Sequence, residues 1–256
     1  MATFFPDAND ESERQSLQPP DEELLAEFLT ASRPQATTET EDEEDVLFLD
    51  CMEFFLDDIR TRGFSGNRWP SGILIYDFAN DVSAANQQNF LDAAEEWTKV
   101  ANVSFRRRTN EVGYVLVQNG AGNSATVGYR GKKQNLRIAE WHKKFVIVHE
   151  IGHSFGLDHE HCRKDRDTYV DIIDGNIAPG YEINFKIRNV VSYSDYDFKS
   201  LMHYGPRDAS KDGISPTIVA QPAYADQAQY MGNRSFISDD DAAGMATRYG
   251  PPQATS

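Results

Sequence analysis

Residues 149 to 161 read His-Glu-Ile-Gly-His-Ser-Phe-Gly-Leu-Asp-His-Glu-His, and this run constrains the fold more than any other stretch. Residues four apart on a helix share a face, so His149 and His153 present two imidazoles to one ion, with Glu150 beside them. Gly156 stands where that helix must stop, because glycine accepts the left-handed conformation that ends a helix. The turned chain then brings His159 back as a third ligand. Three nitrogens leave one position open, which marks a catalytic zinc, whereas a structural zinc is closed by four protein ligands. Zinc held by three neutral histidines lowers the pKa of a bound water from about 15.7 to near 7. Glu150, next to the first histidine, is the natural general base.

These residues carry a resemblance to a known family. His149 to His159 follow the metzincin pattern H-E-x-x-H-x-x-G-x-x-H, and Glu160 directly after it resembles the astacin branch. Arg163 to Val170 looks like the segment that follows the zinc helix in astacins, and Ser200-Leu201-Met202-His203-Tyr204 looks like their Met-turn. Arg68-Trp69-Pro70 with Tyr76 resembles the start of the mature enzyme, so the likeness spans roughly residues 61 to 250. The resemblance implies a zinc-dependent endopeptidase with protein or peptide substrates and one zinc per chain. It also implies an α+β metzincin fold: an upper lobe with a mixed twisted sheet and the zinc helix, then a loop-rich lower lobe ending in a helix. Tyr204 would be a fifth zinc ligand that swings off to hydrogen-bond the oxyanion. Met202 would form an apolar floor under the histidines, and Glu160 would receive the new amino terminus after processing. The alternative is a zinc-binding module that is catalytically silent and serves regulation or binding.

Charge divides the chain. Residues 1 to 60 hold 18 Asp and Glu against 3 Arg, which accounts for nearly all of the formal −16. Such a run predicts a solvated, largely disordered segment over residues 1 to 60, a peptidase domain over 61 to 250, and a short tail at 251 to 256. Asp21 to Leu29 reads as a helical patch within it. No basic face suggests nucleic acid, and no stretch approaches the 18 apolar residues of a membrane helix. Met1 to Gln15 has neither a basic leader nor an apolar core. Astacins are typically secreted with two disulfides, yet this chain has only Cys51 and Cys162. Either a leader is missing, or the protein works inside a cell or leaves by another route.

Val46 to Ile59 is more apolar than a disordered tail favours, so something should cover it. In astacins an aspartate in an F-x-G-D pattern blocks the zinc of the precursor. Phe55-Leu56-Asp57-Asp58-Ile59 resembles that pattern with Asp57 in place of glycine, pointing to Asp58, while Asp50 fits the family spacing better.

Periodicity predicts a first strand at 73–78 and a helix over 86–98, whose Phe90, Ala93, Ala94 and Trp97 lie on a sheet. Further strands are expected at 103–106, 114–117, 125–129 and 135–138, then the zinc helix from about 140 to 155. A last helix spans 239–249, capped by Ser238. By position, Ser124 to Tyr129 is the cleft strand that would pair with an extended substrate. His142, about 10 Å from His149 by helical rise, is read as a non-ligand, as are His161, His203 and Cys162. Arg207, Lys211 and Arg234 are the candidates for a basic pocket favouring an acidic residue after the cut.

Overall fold

The computed structural model describes residues 46–49, 51–55, 67–188 and 194–253. Asp21 to Leu29, Asp50 and Asp58 lie outside the described residues. Two strands open the described chain, β1 (Val46–Leu49) and β2 (Met52–Phe55). Then come β3 (Ile73–Phe78), helix α1 (Ala84–Thr98), β4 (Ser104–Arg107), β5 (Tyr114–Asn119), β6 (Ser124–Thr126) and β7 (Lys133–Ile138). Helix α2 (Lys144–Ser154) leads into the lower lobe, where β8 (Val170–Ile172) pairs with β9 (Ile218–Ala220) before α3 (Asp239–Tyr249).

The seven-stranded sheet runs β1-β2-β6-β7-β5-β3-β4. Strands β4, β3, β5 and β7 are mutually parallel and β6 is antiparallel to β7. Val115, Val117, Leu136 and Ile138 alternate inward and are fully buried in one core with both upper helices. Helix α1 starts where the Ser83 side chain accepts the Asn86 amide at 3.2 Å. It buries Phe90, Ala93, Ala94 and Trp97, spaced to form one stripe. Trp97 also donates its indole N–H to the Val148 carbonyl at 2.9 Å, which ties α1 to the zinc helix.

Helix α2 begins later than the sequence suggests, because the chain makes a turn from Glu140 to Lys143, whose amide donates to the Glu140 carbonyl at 2.9 Å. His142 therefore sits in a turn before the helix rather than two helical turns along it. Strand β6 is shorter than expected: Gly128 takes a φ of 67°, and Tyr129 forms an isolated bridge to Asn67.

The lower lobe has its own core of Val170, Ile177, Phe185, Tyr196, Phe198 and Ile218, with Tyr204 and Met231. Helix α3 starts in a capping box made by Ser238 and Asp241. It returns to the upper lobe, burying Met245 there and donating from Arg248 and Tyr249 to the Phe155 carbonyl at 3.1 and 3.0 Å. Asp241 also accepts from Ser200 Oγ and the Leu201 amide, both at 2.7 Å, so the cap of α3 holds the segment passing under the zinc helix. No helix among the described residues is long and apolar enough to cross a membrane.

Within the apolar stretch of the N-terminal segment, β1 and β2 form an antiparallel hairpin, and β2 continues the sheet by pairing in parallel with β6. Strand β6, expected to offer a free edge to substrate, is already paired with the chain's own β2.

Candidate metal centre

Helix α2 supplies two of the converging imidazoles. Nε2 of His149 and Nε2 of His153 are 3.0 Å apart, one turn apart on the buried face. The helix ends in a Schellman turn: Gly156, at φ 96°, donates to the His153 carbonyl at 2.8 Å and Leu157 donates to that of Gly152 at 3.0 Å. This reversal brings the His159 ring within 5.4 Å of His149 and 4.9 Å of His153, centroid to centroid. Their ring nitrogens fall in one group whose ligand atoms all lie within 4.8 Å of one another.

The remaining ring nitrogens set the tautomers. Nδ1 of His149 faces the Leu201 carbonyl at 2.9 Å, and Nδ1 of His153 faces that of Leu157 at 2.7 Å. A carbonyl only accepts, so both rings carry their proton on Nδ1 and turn the Nε2 lone pair inward. Burial pushes the pKa of His149 and His159 well below the ordinary value and takes His153 to about 4. Neutral imidazole is the metal-binding form, so this donor set fits one zinc ion.

The floor is equally specific. A side chain at Gly152 would meet Trp97 at 3.1 Å and the Met202 sulfur at 3.2 Å, so glycine between the two helical histidines lets both residues close against α2. The Tyr204 ring lies 4.6 Å from His159 and 4.0 Å from His161, and is buried. Glu150, 2% exposed, lines a cleft of about 590 Å³ together with His149, Lys143, Asp208, Arg234 and Cys51. Of the three basic candidates, Arg234 reaches this cleft. Its Nη1 donates to the carbonyls of Leu201, His203 and Asn233, while Arg207 donates to the Ile214 carbonyl and Lys211 to that of Gly175.

Glu160 accepts from Arg163 at 3.0 Å and from the Asp197 amide at 2.9 Å, and burial pushes its pKa up to about 8. His161, His203 and Cys162 lie apart from the converging group. His161 contacts the Asn184 carbonyl at 3.1 Å, His203 pairs with the Tyr196 hydroxyl at 2.6 Å, and Cys162 donates to the Asn184 carbonyl at 3.2 Å.

Sequence reasoning misses two features. Asp158 and Arg188 form a fully buried ion pair directly before His159, and the Asp158 carboxylate also accepts the His159 amide. Nothing in the spacing of two residues 30 apart announces that contact. The second is Cys51, whose Sγ lies 3.5, 3.2 and 3.3 Å from Nε2 of His149, His153 and His159. Its signal is a cysteine upstream of a three-histidine motif, in an apolar stretch of an otherwise acidic segment.

A mixed sheet packed on a helix with two histidines, and a third histidine from the turn below it, define the two-lobed zinc peptidase architecture. The model of the astacin peptidase family matches residues 62–250, and the chain belongs to that family. It is 35% identical to bone morphogenetic protein 1 of Xenopus laevis over 191 residues, covering 72% of this chain and 27% of that protein. It is 30% identical to flavastacin of Elizabethkingia meningoseptica over 197 residues, covering 73% of this chain and 43% of the relative. Among solved structures it resembles high choriolytic enzyme 1, a hatching enzyme zinc-protease from the medaka Oryzias latipes. That match has a TM-score of 0.66 at 27% identity and covers 71% of this chain and 92% of the other. The chain thus spans less than half the length of the first two relatives.

Proposed function

We propose that this chain is a zinc-dependent endopeptidase acting on protein or peptide substrates. The observation that carries the reading is the convergence of three neutral imidazoles, with the buried Glu150 beside them lining a cleft. His149, His153 and His159 would hold the ion, which when bound supplies Lewis acidity to the scissile carbonyl and acidifies a water. Glu150 takes the proton from the attacking water and returns it to the leaving nitrogen, a role worth about 10²- to 10⁴-fold. The Tyr204 hydroxyl donates to the developing oxyanion. Strand β6, once its edge is free, receives the substrate main chain by strand addition. Arg234 favours an acidic side chain at the cut.

Membership of the family and the helix-borne His149-Glu150 pair support this reading. The test uses the full chain, before and after limited trypsin treatment followed by trypsin inhibitor, against a quenched fluorescent peptide library. Cleavage abolished by a chelator and restored by zinc is expected. Glu150→Gln should keep stoichiometric zinc and lose at least about 10² in turnover. Wild-type turnover in that variant would remove Glu150 as the base, and chelator-insensitive cleavage would remove the metal mechanism.

A further inference from the structure

The hairpin at the start of the described chain puts a sulfur on the metal-binding point. Leu49 pairs with Met52, so Cys51 sits at the hairpin tip. The Cys51 carbonyl accepts the Ala125 amide at 2.7 Å and that of Glu53 accepts the Val127 amide at 3.0 Å, fixing the turn to β6. A separate anchor stands two residues on. The Glu53 carboxylate, 2% exposed, pairs with Arg137 and accepts from Ser124 Oγ at 3.0 Å and Thr126 Oγ1 at 3.4 Å.

Hydrogen bonding alone does not account for the cluster. His149 and His153 both direct Nε2 lone pairs inward, and a thiol has one proton for three nitrogens. The other lone pairs would face one another unsatisfied in a buried site, which is costly. A divalent cation removes the conflict. With zinc's usual bond lengths a regular tetrahedron has N···N edges of about 3.3 Å and N···S edges of about 3.6 Å. The nitrogens of His149 and His153 are 3.0 Å apart and the sulfur lies 3.2 to 3.5 Å from all three.

We propose that Cys51 is the fourth ligand of the zinc held by His149, His153 and His159, and that the intact chain is therefore a latent precursor. The thiol gives its proton to solvent as the thiolate binds the ion. The position left for water by three histidines is then filled by sulfur, and β2 occupies the strand edge that substrate needs. A cysteine thus fills the role that the sequence resemblance gives to Asp50 or Asp58. The proposal rests on the zinc-peptidase reading, and its test separates the two.

The full chain is loaded with cobalt in place of zinc. A thiolate-to-cobalt charge-transfer band in the near ultraviolet is expected, lost in Cys51→Ala and kept in Cys162→Ser. X-ray absorption of the zinc form should show one sulfur at about 2.3 Å beside nitrogen ligands. Cys51→Ala should retain stoichiometric zinc and cleave peptides at least tenfold faster than the intact chain, while Cys51→Asp should restore latency without the band. A wild-type chain with no charge-transfer band and no sulfur in the zinc shell overturns the proposal, whatever the activity. A sulfur shell together with a zinc-loaded Cys51→Ala that stays inert even after limited trypsin treatment upholds Cys51 as the ligand and overturns the peptidase reading instead.

Discussion

The upper and lower lobes reach the same metal-binding point by different physics. Above it, α1 and α2 lie on a sheet through continuous apolar packing, with Phe90, Trp97, Ile147 and Ile151 fully buried. Below it, regular structure is sparse and polar clasps do the holding. Arg188 grips Asp158, Asp241 grips Ser200 and Leu201, and Arg163 joins Glu160 to Asp165. The upper lobe positions His149 and His153 by helix geometry, and the lower positions His159 and Tyr204 by specific pairs. A packing core tolerates exchange of similar side chains, whereas a buried pair fails when one partner is lost.

The sharpest way to break that contrast is to remove one element from each lobe. Trp97→Ala should cost about 3 to 5 kcal/mol, since it deletes a fully buried indole and frees the Val148 carbonyl. Arg188→Met should cost a comparable 3 to 5 kcal/mol, roughly, by stranding the Asp158 carboxylate. The two differ in rescue. Adding Asp158→Leu to Arg188→Met should recover most of the loss in urea unfolding, because the pair is then replaced by apolar volume. No recovery in the double variant would show that the pair acts through more than its own charge balance.

Next in size is Tyr204→Phe, expected to lower turnover of the released enzyme by about 10²-fold while zinc content stays stoichiometric. An unchanged rate would make Tyr204 a packing residue beneath His159 and His161.

The smallest effect concerns Asp241, whose pKa burial raises to about 6 from 3.8. Burial favours the protonated form of this acid. That bias is complete below the unfolded value and is lost as pH climbs through the folded one. Going from about pH 4 to about pH 7, Asp241 should therefore lower Tm by a few degrees relative to Asp241→Asn. A difference in Tm between the two proteins that does not change with pH would contradict the burial effect.

What the sequence reveals follows the same division. The last helix, Asp239–Tyr249, and its Ser238 cap are readable because caps and apolar periodicity are local signals. The stripe of α1 and strand β3 are readable for the same reason. The start of α2 is not, since the turn at Glu140 to Lys143 carries helix-compatible residues and periodicity runs the helix through it. The His-Glu-x-x-His spacing discloses two imidazoles through helix geometry, and Gly156 discloses the reversal behind the third. Contacts between distant residues leave no such trace. Asp158 with Arg188, Asp241 with Ser200, and Cys51 with the three histidines are each set by tertiary folding across 30 residues or more.

Because the hairpin belongs to the same chain as the cleft it fills, its hold is a matter of effective concentration rather than of binding constant alone. Eleven residues separate Phe55 from Asn67, which forms an isolated bridge to Tyr129. A tether this short keeps the sulfur near the ion at roughly millimolar effective concentration, so reopening is first order and dilution does nothing to it. Arg60 and Arg62 lie in that connection. A single cut there turns closure into a second-order encounter between two molecules, and the balance shifts by mass action without any change in the contacts themselves.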